Sequence, residues 1–156
     1  MALEIERKFL VKDDSWRSGV TKTISIVQGY LSKEPVLRIR KSEQGTFLAV
    51  KSKGAGLARG EWEYPIPEKD FFELMELAYG KIFKVRYHVP FGKHLWEIDV
   101  FVAPYANLVV AEVELSSVDE VAEMPPWVGE EVTLDYRYTN AAMADLYSPR
   151  IPNWRS

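Results

Sequence analysis

The sequence contains no cysteine and only two histidines among its 156 residues. Disulfides and thiolate metal sites are therefore excluded, and the two isolated histidines lack the spacing of a metal site. No apolar run approaches the ~18 residues of a membrane span. The 20 basic and 23 acidic residues give a net charge of −3, which does not indicate a nucleic-acid binder. The first residues carry acids where a secretory signal carries bases, so we expect a cytoplasmic protein with no membrane partner.

Turn-forming residues divide the chain into short segments of β type. The length favours one domain over residues 1–156, and the links between segments are mostly short enough for hairpins. We predict eight strands, near residues 3–11, 23–31, 36–42, 46–53, 60–66, 82–89, 94–101 and 108–115. This pattern predicts a mainly β (α+β) fold, an eight-stranded antiparallel closed barrel with a few helices packed outside.

Three segments have the features of helices. Residues 68–79 carry apolar side chains at helical spacing. Residues 117–124 begin with Ser117 and Glu120, the pattern of a capping box. Residues 139–147 are alanine-rich and stop before Pro149, and residues 14–18 are predicted to form one further turn.

Charged residues recur two positions apart in seven of the eight predicted strands. Residues two apart in a strand share one face, so each pair makes one face charged, whereas the opposite face is apolar, as with Ile5 and Phe9. We call the whole set the charge ladder, and it comprises Glu4, Glu6 and Lys8; Arg38 and Arg40; Lys51 and Lys53; Glu61 and Glu63; Lys84 and Arg86; Glu97 and Asp99; Glu112 and Glu114.

Two interpretations fit any single pair. The charged faces could form a solvated outer surface with ion pairs between strands, on a stable β protein with no ligand. Alternatively, they line the inside of the barrel, where unpaired charges are costly and a highly charged ligand would justify them. The second interpretation accounts better for same-sign pairs that recur in strand after strand.

The composition of the charge ladder indicates a particular chemistry. Its seven lysines and arginines suit a polyanion with several phosphates, and its eight carboxylates suit Mg²⁺ or Mn²⁺, which prefer oxygen ligands. Basic side chains combined with an acid-bound metal are the means by which proteins stabilise phosphoryl transfer. The pattern therefore predicts a barrel that handles polyphosphate.

The residues Glu4-Ile5-Glu6-Arg7-Lys8 resemble the Glu-x-Glu-x-Lys signature of the CYTH family, also called triphosphate tunnel metalloenzymes. The later pairs follow the family's order, and residues 129–140 are similar to its C-terminal signature. The resemblance covers about residues 3 to 147. It implies an eight-stranded tunnel open at both ends that binds a triphosphate and a divalent metal.

The resemblance leaves several activities open. The short chain is most similar to small bacterial members that hydrolyse inorganic tripolyphosphate to pyrophosphate and phosphate. An adenylate cyclase, or a triphosphatase acting on thiamine triphosphate or on ATP and other nucleotides, would use the same scaffold. A non-catalytic polyphosphate or nucleotide-binding module is a further alternative, and a homodimer is possible.

The resemblance also assigns roles to individual residues. The metal ligands would be Glu4, Glu6, Glu112 and Glu114. The phosphate-binding residues would be Lys8, Arg38, Arg40, Lys51, Lys53, Lys84, Arg86 and, near the tunnel mouth, Arg137. The catalytic set would comprise Lys8, Tyr30 as proton acceptor, and Glu61, Glu63, Glu97 and Asp99, which would orient the basic residues or position the attacking water. The sequence departs from the family at Tyr136, where lysine is common.

Overall fold

The computed structural model describes residues 3–53, 57–152 and 154, and all of its strands belong to one antiparallel sheet. The strands are β1 (Leu3–Val11), β2 (Lys22–Lys33), β3 (Val36–Ser42), β4 (Gly45–Lys51), β5 (Ala58–Pro65), β6 (Gly80–Phe91), β7 (His94–Ala103), β8 (Val109–Glu114) and β9 (Val128–Glu131). The helices are α1 (Glu68–Met75) and α2 (Asn140–Ala144), with 3-10 turns at Ser15–Gly19 and Tyr136–Tyr138.

The sheet closes on itself through β1. The strand order is β5-β4-β3-β2-β6-β7-β8-β1-β9, and β1 also pairs with β5 through residues 3–5 and 58–60. Residues 6–10 of β1 pair with β8 on the other side, and β9 extends the sheet beside the end of β1. The structure therefore confirms the predicted eight-stranded antiparallel closed barrel, with one strand, β9, that the sequence did not predict.

The eight predicted strands are confirmed, with shifts at their ends. The β6–β7 hairpin turns at Gly92, whose φ of 60° is a conformation that side chains other than glycine rarely adopt. Strand β5 begins at Ala58 and β4 ends at Lys51, whereas we predicted 60 and 53. These two shifts move Arg59 into the barrel wall and leave Lys53 beyond it.

The helix predictions were less accurate. The predicted helix at 117–124 is wrong, because these residues form turns and irregular chain. Glu120 accepts hydrogen bonds from the N–H and hydroxyl of Ser116 instead of capping a helix at Ser117, and Pro125 and Pro126 disfavour helical backbone just before them. The other two helices are shorter than predicted, and the turn at 14–18 is a 3-10 turn.

The main apolar core lies outside the barrel, against the faces opposite the charge ladder. Phe9, Trp96 and Ile98 belong to the outer faces of β1 and β7, and Trp16 and Trp127 pack against them from the connecting segments. Each large side chain buried in this way stabilises the fold by about 1.5–3 kcal/mol. The wall is therefore held from outside, which leaves its inner face available for polar groups.

A second apolar cluster occupies part of one end of the barrel interior. Ile82, Phe101 and Val110 lie two residues from Lys84, Asp99 and Glu112 and therefore share their inward-facing side. Met143 and Ala144 of α2 join this cluster. Helix α2 thus packs against one end of the barrel and narrows the opening there, whereas we predicted that every helix would pack on the outside of the barrel.

Helix α2 approaches β6 closely because residue 80 is glycine. A Cβ atom at Gly80 would collide with the backbone carbonyl of Ala144. The close contact fixes the C-terminal end of α2 relative to the barrel. No helix in the described part of the chain is both long and apolar enough to cross a membrane.

Candidate active site

A cavity of about 580 Å³ runs through the barrel interior. Every member of the charge ladder lines it except Asp99, which is fully buried in the wall behind the others. The prediction that the charged faces point inward is therefore confirmed, and the outer-surface interpretation is wrong. The cavity brings together side chains from all eight barrel strands, since Tyr30 and Lys33 of β2 line it together with the charge ladder.

Asp99 organises the basic side chains of the neighbouring strand. Its two carboxylate oxygens accept hydrogen bonds from Lys84 Nζ at 2.6 Å and from Arg86 Nε and Nη2 at 2.8 and 3.0 Å. Arg86 also contacts Glu97 at 3.4 Å. Burial disfavours the charged form of Asp99, yet the two cations outweigh this and hold its pKa well below the usual range. Asp99 therefore stays ionised and fixes both cations.

A second set of ion pairs joins β1, β4 and β5. Lys51 Nζ lies 3.2 Å from Glu4 and 3.0 Å from Glu61, and Arg59 Nε lies 3.3 Å from Glu4. Burial would raise the pKa of Glu4, but Lys51 and Arg59 lower it to about 2. Across the cavity, Arg38 contacts Glu63 at 3.4 Å. Glu61 and Glu63 thus hold two of the predicted phosphate-binding cations in place.

Glu6 differs, because Lys8 and Lys51 lower its pKa too little to offset its burial and the neighbouring carboxylates. Burial and the nearby carboxylate of Glu112 raise the pKa of Glu6 to about 8, so the group holds a proton at neutral pH. Glu114, opposite Glu6 on β8, has a raised pKa because of burial and the charges of Glu4 and Glu97. When ionised, these carboxylates are desolvated and repel one another, and a bound cation would relieve both effects.

The predicted metal ligands come from adjacent strands. Register places Glu6 opposite Glu114 and Lys8 opposite Glu112, and Lys8 Nζ lies 4.0 Å from Glu112. Within the described ranges, no three acidic or histidine side chains already converge on a single metal position. The donor set nevertheless fits Mg²⁺ or Mn²⁺, because it consists of carboxylate oxygens, the ligands that these cations prefer.

Three cavity cations, Lys84, Arg40 and Lys51, have lowered pKa values, with burial as the largest cause for each. Burial is the largest cause for Lys84, and together with Arg86 and Arg40 it outweighs Asp99 and lowers the pKa of Lys84 to about 7. Burial, Arg38 and Arg86 lower the pKa of Arg40 to about 10. The basic side chains therefore repel one another inside the barrel, and a polyanion would remove that repulsion.

Tyr30 lies on the cavity wall, but its surroundings do not suit a base. Its hydroxyl accepts a hydrogen bond from Gln28 Nε2 at 2.8 Å, and its ring is buried. Burial is the largest influence on the hydroxyl and raises its pKa despite the nearby cations. The phenol therefore stays protonated and is able to donate a hydrogen bond into the cavity.

Two predicted phosphate-binding residues are placed differently from the others. Arg137 does not line the cavity, because its guanidinium binds Asp135 with Nη2 at 2.6 Å from the carboxylate. Lys53 lies at the cavity mouth with its side chain largely exposed and Nζ 3.8 Å from Glu34. Tyr136 also lines the cavity.

The cavity also contains polar residues to which the sequence analysis gave no role. Arg59 lies two residues before Glu61 and therefore shares its face of β5. The sequence analysis excluded Arg59 because it predicted that β5 begins at residue 60. Asn140 enters from α2, and Gln28 of β2 is fully buried behind the cavity lining, where it contacts Asn140. No charge pattern marks these two neutral side chains, so only the folded chain brings them to the site.

The barrel and its interior define a class of protein, a closed β-barrel whose charged cavity suits a polyanion and a cation. The CYTH domain matches residues 2–145, and the chain belongs to this family.

Sequence and structural similarity to other proteins supports this assignment. The chain is 38% identical over 145 residues to an inorganic triphosphatase of Acetivibrio thermocellus, covering 90% of this chain and 92% of that protein. It is 40% identical over 149 residues to an inorganic triphosphatase of Nitrosomonas europaea, covering 90% and 96%. A crystal structure of an inorganic triphosphatase superposes with a TM-score of 0.68 at 35% identity, covering 94% of this chain and 100% of that one.

Proposed function

We propose that this chain is an enzyme that hydrolyses inorganic triphosphate to pyrophosphate and phosphate with the help of a divalent cation. The single observation that carries the proposal is the cavity, in which basic side chains and carboxylates line the same space. The basic residues are Lys8, Arg38, Arg40, Lys51, Lys84 and Arg86, and the carboxylates are those of Glu4, Glu6, Glu112 and Glu114. The similarity to two inorganic triphosphatases at 38% and 40% identity supports the choice of substrate.

The basic residues would bind the phosphate oxygens and stabilise the transition state. Water attacks the terminal phosphorus, the bond from that phosphorus to the bridging oxygen breaks, and pyrophosphate leaves. Arg86 is fixed by Asp99 and Arg38 by Glu63, so their guanidinium groups need little rearrangement as charge develops on the oxygens. Arg137 has no part in this proposal, since it binds Asp135 away from the cavity.

The cation would be held by Glu4, Glu6, Glu112 and Glu114. When bound, Mg²⁺ or Mn²⁺ would neutralise phosphate charge and draw electrons from the phosphorus. Glu6 must lose its proton to bind a cation, because its pKa without one is about 8. Glu97 lies on the cavity wall with a partly exposed carboxylate, where it could orient the attacking water.

Tyr30 would act as a hydrogen-bond donor in this proposal. Burial raises the pKa of the Tyr30 hydroxyl, and Gln28 already donates to the oxygen. Its proton is therefore available to a phosphate oxygen or to the leaving group, whereas removing a proton from water would require an ionised phenol.

The proposal predicts strict metal dependence. Purified protein should convert tripolyphosphate to pyrophosphate and phosphate with Mg²⁺ or Mn²⁺ and should lose this activity in EDTA. ATP and thiamine triphosphate are tested in parallel, with product identification, because cyclic nucleotide would reveal a cyclase instead. Full turnover in EDTA, or no turnover of tripolyphosphate with either metal, contradicts the proposal.

Glu6→Gln tests the metal site directly. The substitution keeps the shape of the side chain but removes the charge, so metal affinity measured by titration calorimetry should fall by roughly tenfold or more. Glu131→Gln is the matched control, because Glu131 binds Arg7 on the outer surface at 2.6 Å. Equal metal affinity in the two variants would remove Glu6 from the metal site.

A further inference from the structure

Helix α2 places one polar side chain in the cavity from outside the eight barrel strands. Asn140 is the first residue of α2, and its side chain lies on the cavity wall. The preceding Thr139 caps the helix by accepting the backbone N–H of Ala142 at 3.1 Å. The contact between Gly80 and Ala144 fixes the other end of α2, so Asn140 has a defined position.

The side-chain oxygen of Asn140 binds two donors. Lys84 Nζ donates to Asn140 Oδ1 at 2.7 Å, and Gln28 Nε2 donates to the same oxygen at 3.0 Å. Two converging donors require an acceptor, which identifies this atom as the oxygen and places Nδ2 on the other branch. Nothing in the described part of the chain accepts a hydrogen bond from Nδ2.

The same oxygen belongs to a chain of hydrogen bonds between two cavity cations. Gln28 is fully buried, and its Oε1 accepts from Arg40 Nε at 2.9 Å. The chain of contacts therefore runs from Arg40 through Gln28 and Asn140 to Lys84. Each contact in this chain joins one donor to one acceptor, so the orientations of the Gln28 and Asn140 amide groups are determined.

The neutral amide of Asn140 suits a position beside Lys84. A second cation there would repel the Lys84 ammonium, and a carboxylate would repel a polyanion. An amide accepts from Lys84 through oxygen and still offers two N–H donors to a third group. The geometry thus combines an anchor for Lys84 with a donor to the cavity.

We propose that Asn140 binds the substrate. Its Nδ2 donates a hydrogen bond to a phosphate oxygen of the polyphosphate, while its Oδ1 keeps Lys84 Nζ in position. This inference rests on the proposed function, because it assumes that the cavity holds a polyphosphate.

Two substitutions separate substrate contact from a purely structural role. Asn140→Ala removes both the acceptor and the donor. Lys84→Met removes the cation that Asn140 anchors. If Asn140 acts only through Lys84, adding Asn140→Ala to the Lys84→Met variant leaves its affinity for tripolyphosphate unchanged. If Nδ2 contacts phosphate, Asn140→Ala weakens binding in both backgrounds.

The experiment measures tripolyphosphate binding by titration calorimetry in EDTA, together with kcat and KM in Mg²⁺. We expect Asn140→Ala to weaken binding by about tenfold or more, as for loss of a hydrogen bond to a charged group, both in wild type and in Lys84→Met. Gln44→Ala is the matched control, because Gln44 lies in an exposed turn away from the cavity and loses the same amide group. Melting temperatures check folding, and Lys84→Gln replaces Lys84→Met if the Met variant is unfolded.

The outcomes distinguish this inference from the function on which it rests. Wild-type protein that binds and hydrolyses tripolyphosphate, with no effect of Asn140→Ala in the Lys84→Met background, refutes the substrate contact alone. The same holds if the Asn140→Ala variant binds like wild type. Wild-type protein that neither binds nor hydrolyses tripolyphosphate refutes the proposed function and, with it, this inference.

Discussion

Individual side chains in the barrel interior have protonation states that no exposed residue would show. Lys84 faces Asp99, Arg86, Arg40 and Glu112, and burial together with the two arginines lowers its pKa to about 7. Each charged residue is therefore balanced against its neighbours, and a ligand of high charge changes that balance. The number of protons taken up on binding therefore reports the effect of the ligand on these side chains.

Binding of tripolyphosphate should transfer a proton to Lys84. At pH 8, a lysine with a pKa of about 7 is mostly neutral in the free protein, and a nearby polyanion raises its pKa and charges it. Calorimetry in EDTA, in buffers of different ionisation enthalpy, should give about one more proton taken up by wild type than by Lys84→Met.

The pH dependence of proton uptake supplies the control for Lys84. At pH 6, Lys84 already carries its proton in the free protein, so the difference between wild type and Lys84→Met should disappear. Protonation of the ligand itself cancels in this comparison, since both proteins bind the same species. Equal proton counts at pH 8 would show that Lys84 stays charged throughout.

At the scale of elements, helix α2 is short and depends on its packing against the barrel. Five residues cannot form a stable helix alone, so α2 exists because Thr139 caps it and because Met143 and Ala144 join the interior cluster. Gly80 permits that contact. The position of α2 determines where Asn140 enters the cavity and how far the barrel end is narrowed.

Gly80→Ala should therefore destabilise the protein. The added methyl group collides with the Ala144 carbonyl, and overpacking of this kind typically costs about 1–3 kcal/mol. For a chain of this size, the melting temperature should fall by roughly 2–12 °C. Gly19→Ala is the control, since its Cβ would meet only a side-chain methyl of Val89 at 3.1 Å. An equal change in both variants would mean that the α2 contact adjusts without cost.

At the scale of the whole molecule, the main apolar core packs on the outer faces of the barrel strands, whereas the charged side chains line the barrel interior. The cluster around Trp16, Trp96 and Trp127 stabilises the wall from outside, whereas the interior carries ion pairs whose desolvation is unfavourable. This desolvation lowers the free energy of unfolding of the empty barrel. A polyanion with a suitable length should restore part of it.

Tripolyphosphate should therefore stabilise the protein against heat. A ligand that binds only the folded state adds about 2.7 kcal/mol at a hundred times its dissociation constant, or roughly 5–10 °C in melting temperature here. Calcium is included on the premise that it supports binding without turnover. Phosphate at equal ionic strength should raise the melting temperature much less, because it contacts only part of the charge ladder. Equal shifts by phosphate, sulfate and tripolyphosphate would indicate a general salt effect.

The sequence by itself determined the parts of this protein that follow from period-two spacing. Because residues i and i+2 of a strand share a face, pairs such as Arg38 and Arg40 could be assigned to one surface before the fold was known. Eight predicted strands joined by short turns, seven of them with such a charged face, then predicted the closed barrel and its charged interior. Segments without that period were less predictable, as the irregular chain at residues 117–124 shows.

Only the tertiary structure decided which side chains meet. Arg59 joins Glu4 because β5 begins two residues earlier than its pattern indicated, and Arg137 turns to Asp135 instead of the cavity. Gln28 and Asn140 are neutral, are 112 residues apart and come together through barrel closure and the docking of α2. Strand periodicity records the face on which a residue lies, whereas contacts between distant elements depend on register and packing, which no local pattern contains.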